Sequence, residues 1–223
     1  MLLSYLVLLF LGSIGTAIAG AIKSGCDPRS PGYCKGTDGT PSEANQYVCG
    51  SSRLGPLNLP TSKSLGDLFK GYNRFGGLCP GVFWAQFRNE KGDWYRYPPE
   101  DGFQLDPSGK GQKSTTKLAP GTLVDRFGGE TGTFVAPVCT SFSKRSIPPG
   151  NLASRTNDPK NPYNYHVYKV VKEFPVLSGR IAPWFAQPGG GVQYKLDKPV
   201  STLLKDGFLK EIAMPDRCQV SYA

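Results

Sequence analysis

Six cysteines, Cys26, Cys34, Cys49, Cys79, Cys139 and Cys218, constrain this chain more than any other feature. Their number is even and none stand in the close pairs typical of metal ligands, so disulfides are expected. Three of the six fall between Cys26 and Cys49, in a stretch of Gly, Pro, Ser and Asp with too little apolar side chain to build a core. Covalent staples must supply there what burial cannot. The pairing is not readable from the spacing. The first residues supply the oxidising context: 1–19 form an apolar run closed by Ala17-Ile18-Ala19, the pattern of a secretory signal peptide, although no Lys or Arg precedes it. The run is short for a membrane span and no second one follows, so an exported protein without membrane insertion is expected.

The formal charge is +9, spread from Lys23 to Arg217. A cationic exported protein is steered toward anions, whether nucleotides, nucleic acid or acidic surface polymers. There is one histidine, His166. That excludes mechanisms built on a histidine pair and zinc sites with two or more histidines.

Texture divides the chain into the leader, an N-terminal region over 20–90, a main domain over 91–215 and a tail over 216–223. In the N-terminal region, residues 61–70 read as a short helix capped by Ser62 or Ser64. Val82 to Phe87 and Asp93 to Tyr97 read as two aromatic strands of a hairpin. Pro98 and Pro99 then stiffen a turn ending at Phe103, and residues 106–117 read as a polar loop. A strand reaching Phe127 runs through a glycine turn and back out past Phe134. His166 to Val171 alternates as a strand, Phe174 to Leu177 reads as another, and a helix from Val200 to Asp206 is ended by Gly207 before Phe208 to Ile212 closes the domain. The expected class is α+β, predominantly β, with a disulfide-stapled N-terminal appendage.

Three places carry chemistry. Arg126 sits at a strand exit in Asp125-Arg126-Phe127-Gly128, and Arg145 is pinned by Pro148 and Pro149. Gln193 leaves Gly189-Gly190-Gly191 at the start of a strand. The planar fork of arginine suits phosphate, and two arginines with exposed glycine amides at Gly190 and Gly191 suit a diphosphate. Phe127, Phe134 and Trp184 offer flat surfaces to a ring. The bland alternative is that Arg126 pairs with Asp125 or Glu130 and the aromatics are core.

Taken together, Tyr97-Pro98-Pro99-Glu100-Asp101-Gly102-Phe103, Asp125-Arg126-Phe127-Gly128, Arg145-Ser146-Ile147-Pro148-Pro149 and Trp184 to Tyr194 resemble, in order, the tuberculosis necrotizing toxin (TNT) family of NAD+ glycohydrolases. The leader and Cys-rich region look like those of its secreted, surface-associated fungal members. The resemblance implies hydrolysis of NAD+, and of NADP+, to nicotinamide and the ADP-ribose product. It implies Arg126 and Gln193 as catalytic residues and Phe127, Phe134 and Arg145 as pocket-lining residues. It further implies no required cofactor and a homodimer formed with the N-terminal region. His166 is read as structural. Some fungal relatives bind Ca2+ near the C-terminal end of the domain; here the tail has one carboxylate, Asp216, beside Arg217, too few oxygens for a hard cation. The competing classes are a cysteine-stapled polysaccharide-binding protein, in which Trp and Tyr stack on sugars, and a secreted ribonuclease, which the single histidine disfavours. Nucleic acid is therefore not an expected partner.

Overall fold

The computed structural model describes residues 26–153, 161–216 and 218, so the leader expected over 1–19 lies outside the described residues. Its centre is an antiparallel sheet of strands β1 (Ser114–Leu118), β2 (Leu123–Phe127), β3 (Phe134–Pro137), β4 (Tyr165–Val170), β5 (Phe174–Arg180), β6 (Val192–Lys195) and β7 (Leu209–Ile212). The spatial order is β1-β5-β6-β3-β2-β4-β7. Three short α-helices accompany it among the described residues, besides several 3-10 turns: α1 (Lys63–Asp67), α2 (Pro80–Phe87) and α3 (Val200–Lys205). None is long and apolar enough to cross a membrane.

Side-chain alternation along the strands gives the sheet two apolar faces. On one face Val124, Val135, Tyr168, Val170 and Val176 pack with Val200 and Leu203 of α3. On the other, Phe127, Tyr165 and Val167 pack with Phe142, Leu152 and the Leu65, Leu68 and Phe69 side chains of the N-terminal region. α1 begins after Ser62, as expected, but that side chain makes no capping hydrogen bond. Gly207, at φ +72°, terminates α3 as its sequence predicts.

Two local expectations are corrected. Residues 82–87 form α2, not a hairpin strand. Pro80 occupies the first turn, where its missing N–H costs nothing, and Phe83, Trp84 and Phe87 recur at helical spacing on one buried side. They join Val48, Leu54, Phe75, Tyr95 and Phe185 in a third core. Each such fully buried apolar side chain is worth about 1.5–3 kcal/mol, and that outweighs the weak strand preference of Val and the aromatics. Only the bridge between Arg88 and Tyr95 survives of the hairpin. The second correction is β1: residues 114–117, read as the end of a loop, form with Leu118 an edge strand paired with β5 from Ser114↔Ser178 to Leu118↔Phe174.

The cysteines pair as Cys26–Cys79, Cys34–Cys49 and Cys139–Cys218, none of them free. The first two staple the N-terminal region, as the lack of core-forming residues there demanded. The third ties the tail to the loop after β3.

Candidate active site

A cleft of about 460 Å³ opens where β2, β3 and β6 meet the turn around Asp101 and the loop from Arg145 to Asn151. That size accommodates a nucleotide-sized ligand. Arg126 and Gln193 both line it, together with Tyr97, Pro98, Thr131, Thr133, Phe134, Ser146, Ile147, Asn151 and Ile181.

Arg126 is half-buried. Its Nε donates to the Gly129 carbonyl at 2.9 Å and its Nη1 to the Phe134 carbonyl at 2.7 Å. Nη2 makes no hydrogen bond among the described residues, and no carboxylate there forms an ion pair with Arg126; neither Asp125 nor Glu130 is its partner. Burial pulls the guanidinium below its ordinary value, opposed by Tyr168 and Tyr97, but an arginine retains its proton throughout the accessible range. The residue is thus a cation held by two neutral carbonyls, with both Nη2 N–H groups and the second Nη1 N–H left over among the described residues. Gly132 makes room for it: a Cβ there would come within 1.9 Å of Nη2.

Gln193 approaches from β6. Its Nε2 donates to the Asp101 carbonyl at 2.9 Å. A backbone carbonyl only accepts, so this contact fixes the orientation of the amide and leaves Oε1 as the end without a partner among the described residues. Phe134 also lines the cleft, its ring half-buried and 6.0 Å from the Lys195 ammonium. The apolar wall of Tyr97, Pro98, Phe134, Ile147 and Ile181 faces polar groups from Asn151, Thr131, Thr133 and Ser146.

Other expected site residues are placed differently. Phe127 is 2% exposed and packs against Phe142 and Tyr165 in the core, so its ring does not wall the cleft. Strand alternation explains this: Arg126 points one way and Asp125 and Phe127 the other. Phe127 instead supports the Arg145 guanidinium, which lies 5.1 Å from its ring centroid. Arg145 touches the cleft wall, but its fork is committed. Nη1 is 2.6 Å from Asp125 Oδ1, Nη2 donates to Asp125 Oδ2 at 2.8 Å, and Nε and Nη2 donate to the Thr140 carbonyl. Burial pushes the Asp125 carboxyl up, while Arg145, Tyr165 and the Cys139 amide draw it back down.

Trp184, Gly190 and Gly191 are not among the residues lining the cleft. Trp184 donates its indole N–H to the Arg96 carbonyl at 3.0 Å and stands 5.7 Å from the Arg96 guanidinium. Gly191 serves close chain packing: its amide donates to the Lys144 carbonyl, which a Cβ on that residue would approach to 2.8 Å, whereas Gly190 has open space around it and supplies a left-handed turn at φ +82°. Their effect on the cleft is to deliver Gln193.

His166 is buried, stacks on Tyr168, and meets Glu211 Oε1 through Nδ1 at 2.8 Å and Asn164 Oδ1 through Nε2 at 3.3 Å. With Glu130 it forms the one group among the described residues whose atoms could hold a metal, all within 4.8 Å of one another. The cluster lies outside the tail on which Ca2+ was considered. Sequence reasoning missed Asp101 and Asn151 as site residues. Asp101 lay inside the Tyr97–Phe103 motif, whose prolines drew attention to stiffness and not to the residue they deliver.

A half-buried arginine without an ion-pair partner among the described residues and a glutamine with its amide oxygen unengaged there thus line one cleft, together with aromatic side chains, on an antiparallel sheet. The family model "Tuberculosis necrotizing toxin" matches residues 117–212. The chain is 46% identical over 169 residues to the conidial surface nicotinamide adenine dinucleotide glycohydrolase of Aspergillus fumigatus, covering 74% of this chain and 71% of that protein. Among solved structures it is similar to tuberculosis necrotizing toxin complexed with its immunity factor, at TM-score 0.44 and 17% identity over 80% of this chain and 86% of that one. It is also similar to Rhs1-CT in complex with its cognate immunity protein, at TM-score 0.34 and 16% identity over 56% of this chain and 89% of that one. The chain belongs to the TNT family.

Proposed function

We propose that the protein is an exported NAD+ glycohydrolase, also accepting NADP+, that cleaves the bond between nicotinamide and ribose. The observation that carries this reading is the pairing of Arg126 Nη2 and Gln193 Oε1 in one cleft. The first offers a partner to a phosphate oxygen, and the second offers negative partial charge to a cation. The similarity to an NAD glycohydrolase supports the same substrate.

Nicotinamide departs as a neutral molecule from a positively charged pyridinium, so breaking the glycosidic bond requires no general acid. The ribose takes on cationic character, and water then adds to its anomeric carbon. Ordinary glycosidases need a carboxylic acid to protonate the leaving oxygen; here positioning and electrostatics suffice. The one acidic residue lining the cleft among the described residues, Asp101, is already ion-paired with Lys195 at 2.7 Å. In this reading Arg126 holds the diphosphate, Phe134 and Tyr97 contact the rings, and Gln193 Oε1 faces the ribosyl cation. Arg145 acts from behind by holding Asp125 and the cleft loop. No cofactor is required in this scheme. Export fits the leader, the three disulfides and the surface location named for the relative. The N-terminal region over 20–90 is read as the part through which two copies associate, with the catalytic domain over 91–215.

The deciding experiment incubates the secreted protein separately with NAD+, RNA and polysaccharide. Stoichiometric nicotinamide and ADP-ribose are expected. RNA degradation or polysaccharide retention without nicotinamide overturns the assignment.

A further inference from the structure

Gln193 faces the cleft with its oxygen only because something on the other side accepts from its nitrogen. That acceptor is the carbonyl of Asp101, and β6 grips the same residue a second time: Lys195 Nζ lies 2.7 Å from Asp101 Oδ2. Gln193 and Lys195 are two positions apart on a strand, so their side chains leave the same face. One residue is thereby held at its carbonyl and at its carboxylate by neighbouring side chains of one strand.

The gripped turn would not hold its shape unaided. Glu100, Asp101 and Gly102 are consecutive left-handed residues at φ +49°, +60° and +77°. For a non-glycine residue this region is strained, less so for Asp than for Glu. Further contacts hold the turn: Glu100 Oε2 accepts from Lys113 Nζ at 3.1 Å and from the Gly111 amide at 3.2 Å, Lys113 Nζ also stands 3.7 Å from Asp101 Oδ2, a looser pair than that with Lys195, and the Gly102 carbonyl accepts from the Ala182 amide at 2.9 Å. Below it, Gly179, the residue opposite Gln193 on β5, leaves space for the Phe103 ring. A Cβ at Gly179 would come within 2.6 Å of that ring. The turn is seated on the strand that carries Gln193.

We infer that Asp101 is a positioning residue for catalysis: its ion pair with Lys195 fixes the strained peptide whose carbonyl holds the Gln193 amide with Oε1 toward the ribose. The carboxylate has no direct part in bond breaking. This rests on the NAD+ hydrolysis reading, and it adds a second residue on which Gln193 depends. Released from Asp101, the amide can rotate, and half of its orientations then present N–H groups to a developing cation.

The test compares wild type with Asp101→Asn, which keeps the size and left-handed tolerance of the residue but loses its charge, and with Lys195→Met, which breaks the pair from the other side. Steady-state kinetics on NAD+ are read together with the 15N–1H resonance of the Gln193 side-chain amide, assigned by its loss in Gln193→Ala. Both variants are expected to lower kcat roughly tenfold to hundredfold with KM changed less than about twofold, the scale of a misplaced catalytic group. In both, the amide resonance should move toward that of a free glutamine. An unchanged kcat overturns the inference, as does a fall in kcat with the resonance left in place. If wild type releases no nicotinamide, the hydrolase reading fails by itself; an unmoved resonance then overturns the positioning contact, and a moved one sustains it.

Discussion

The Arg145 guanidinium and the Asp125 carboxylate meet through two oxygen contacts, at 2.6 and 2.8 Å, with side chains 4% and 0% exposed. A pair this deep is costly to form and costlier to break, since removing one partner strands the other's charge. Tyr165 and the Cys139 amide complete the carboxylate's shell, which links β2, β4 and the disulfide-bearing loop. Arg145→Met should therefore destabilise the fold by about 3–5 kcal/mol, lowering Tm by roughly 10 °C. Thermal melting beside NAD+ kinetics checks this. A raised KM with an unchanged Tm would instead make Arg145 a direct substrate ligand.

Gly132 faces the Arg126 guanidinium so closely that a methyl group would stand 1.9 Å from Nη2 and 2.1 Å from Cζ. The obstructed atoms are the end of a flexible side chain, so the chain can yield by moving arginine. Gly132→Ala should then cost little stability, under about 1 kcal/mol, and much activity, because displacing Arg126 from its proposed place on the diphosphate would raise KM and lower kcat together. Circular dichroism melting and nicotinamide release on the same preparation separate the two effects.

Much of the site was legible because strands announce themselves by alternation and Gln193 follows a glycine turn into one. The same alternation, applied to Asp125-Arg126-Phe127, separates Phe127 from the cleft: if Arg126 faces the ligand, its two neighbours cannot. Reading Phe127 as a flat surface for a ring, from the residue type and from the family resemblance alike, pointed the other way. The Asp125–Arg145 pair was hidden because its members lie 20 residues apart, while Asp125 stands beside Arg126 in sequence and behind it in space. α2 was hidden because Val82, Phe83 and Trp84 favour strands locally, and only burial against a distant core makes the helix win. β1 was hidden because the exposed run Ser114 to Lys117 shows no apolar alternation, and its pairing partner β5 lies far along the chain.

The turn that carries Asp101 should loosen in acid. Lys113, first through its hydrogen bond to the side chain and then through its charge, and the Gly111 amide hold the Glu100 carboxyl below its ordinary value of 4.5. A carboxyl depressed in the folded state favours that state above its unfolded range and ceases to do so as pH falls through the folded value. The Gly111 amide resonance should therefore be constant at neutral pH and titrate with a midpoint below 4.5. In Glu100→Gln that titration should vanish. A wild-type midpoint at or above the ordinary value would show that the contacts do not hold the ionised carboxylate.

In the proposed reaction the chemistry turns on Gln193, and the two tasks it could have there can be separated. With Nε2 bound to the Asp101 carbonyl, only an acceptor faces the cleft. An acceptor can stabilise the ribosyl cation, or it can take a hydrogen bond from the attacking water. Gln193→Ala should lower kcat roughly 10²–10³-fold, the scale of losing one preorganised polar group at a developing charge. Tm should stay within a few degrees, because the half-buried side chain carries little packing. Running the reaction in dilute methanol then distinguishes the roles. A group that stabilises the cation acts before the nucleophile is chosen, so hydrolysis and methanolysis fall in the same proportion and the product ratio is unchanged. A group that places water acts on the nucleophile, so its loss shifts the ratio toward methyl ADP-ribose. Tyr97 and Phe134 give the same cleft apolar surface that favours a dipole aimed at a cation, so the unchanged ratio is the expected result.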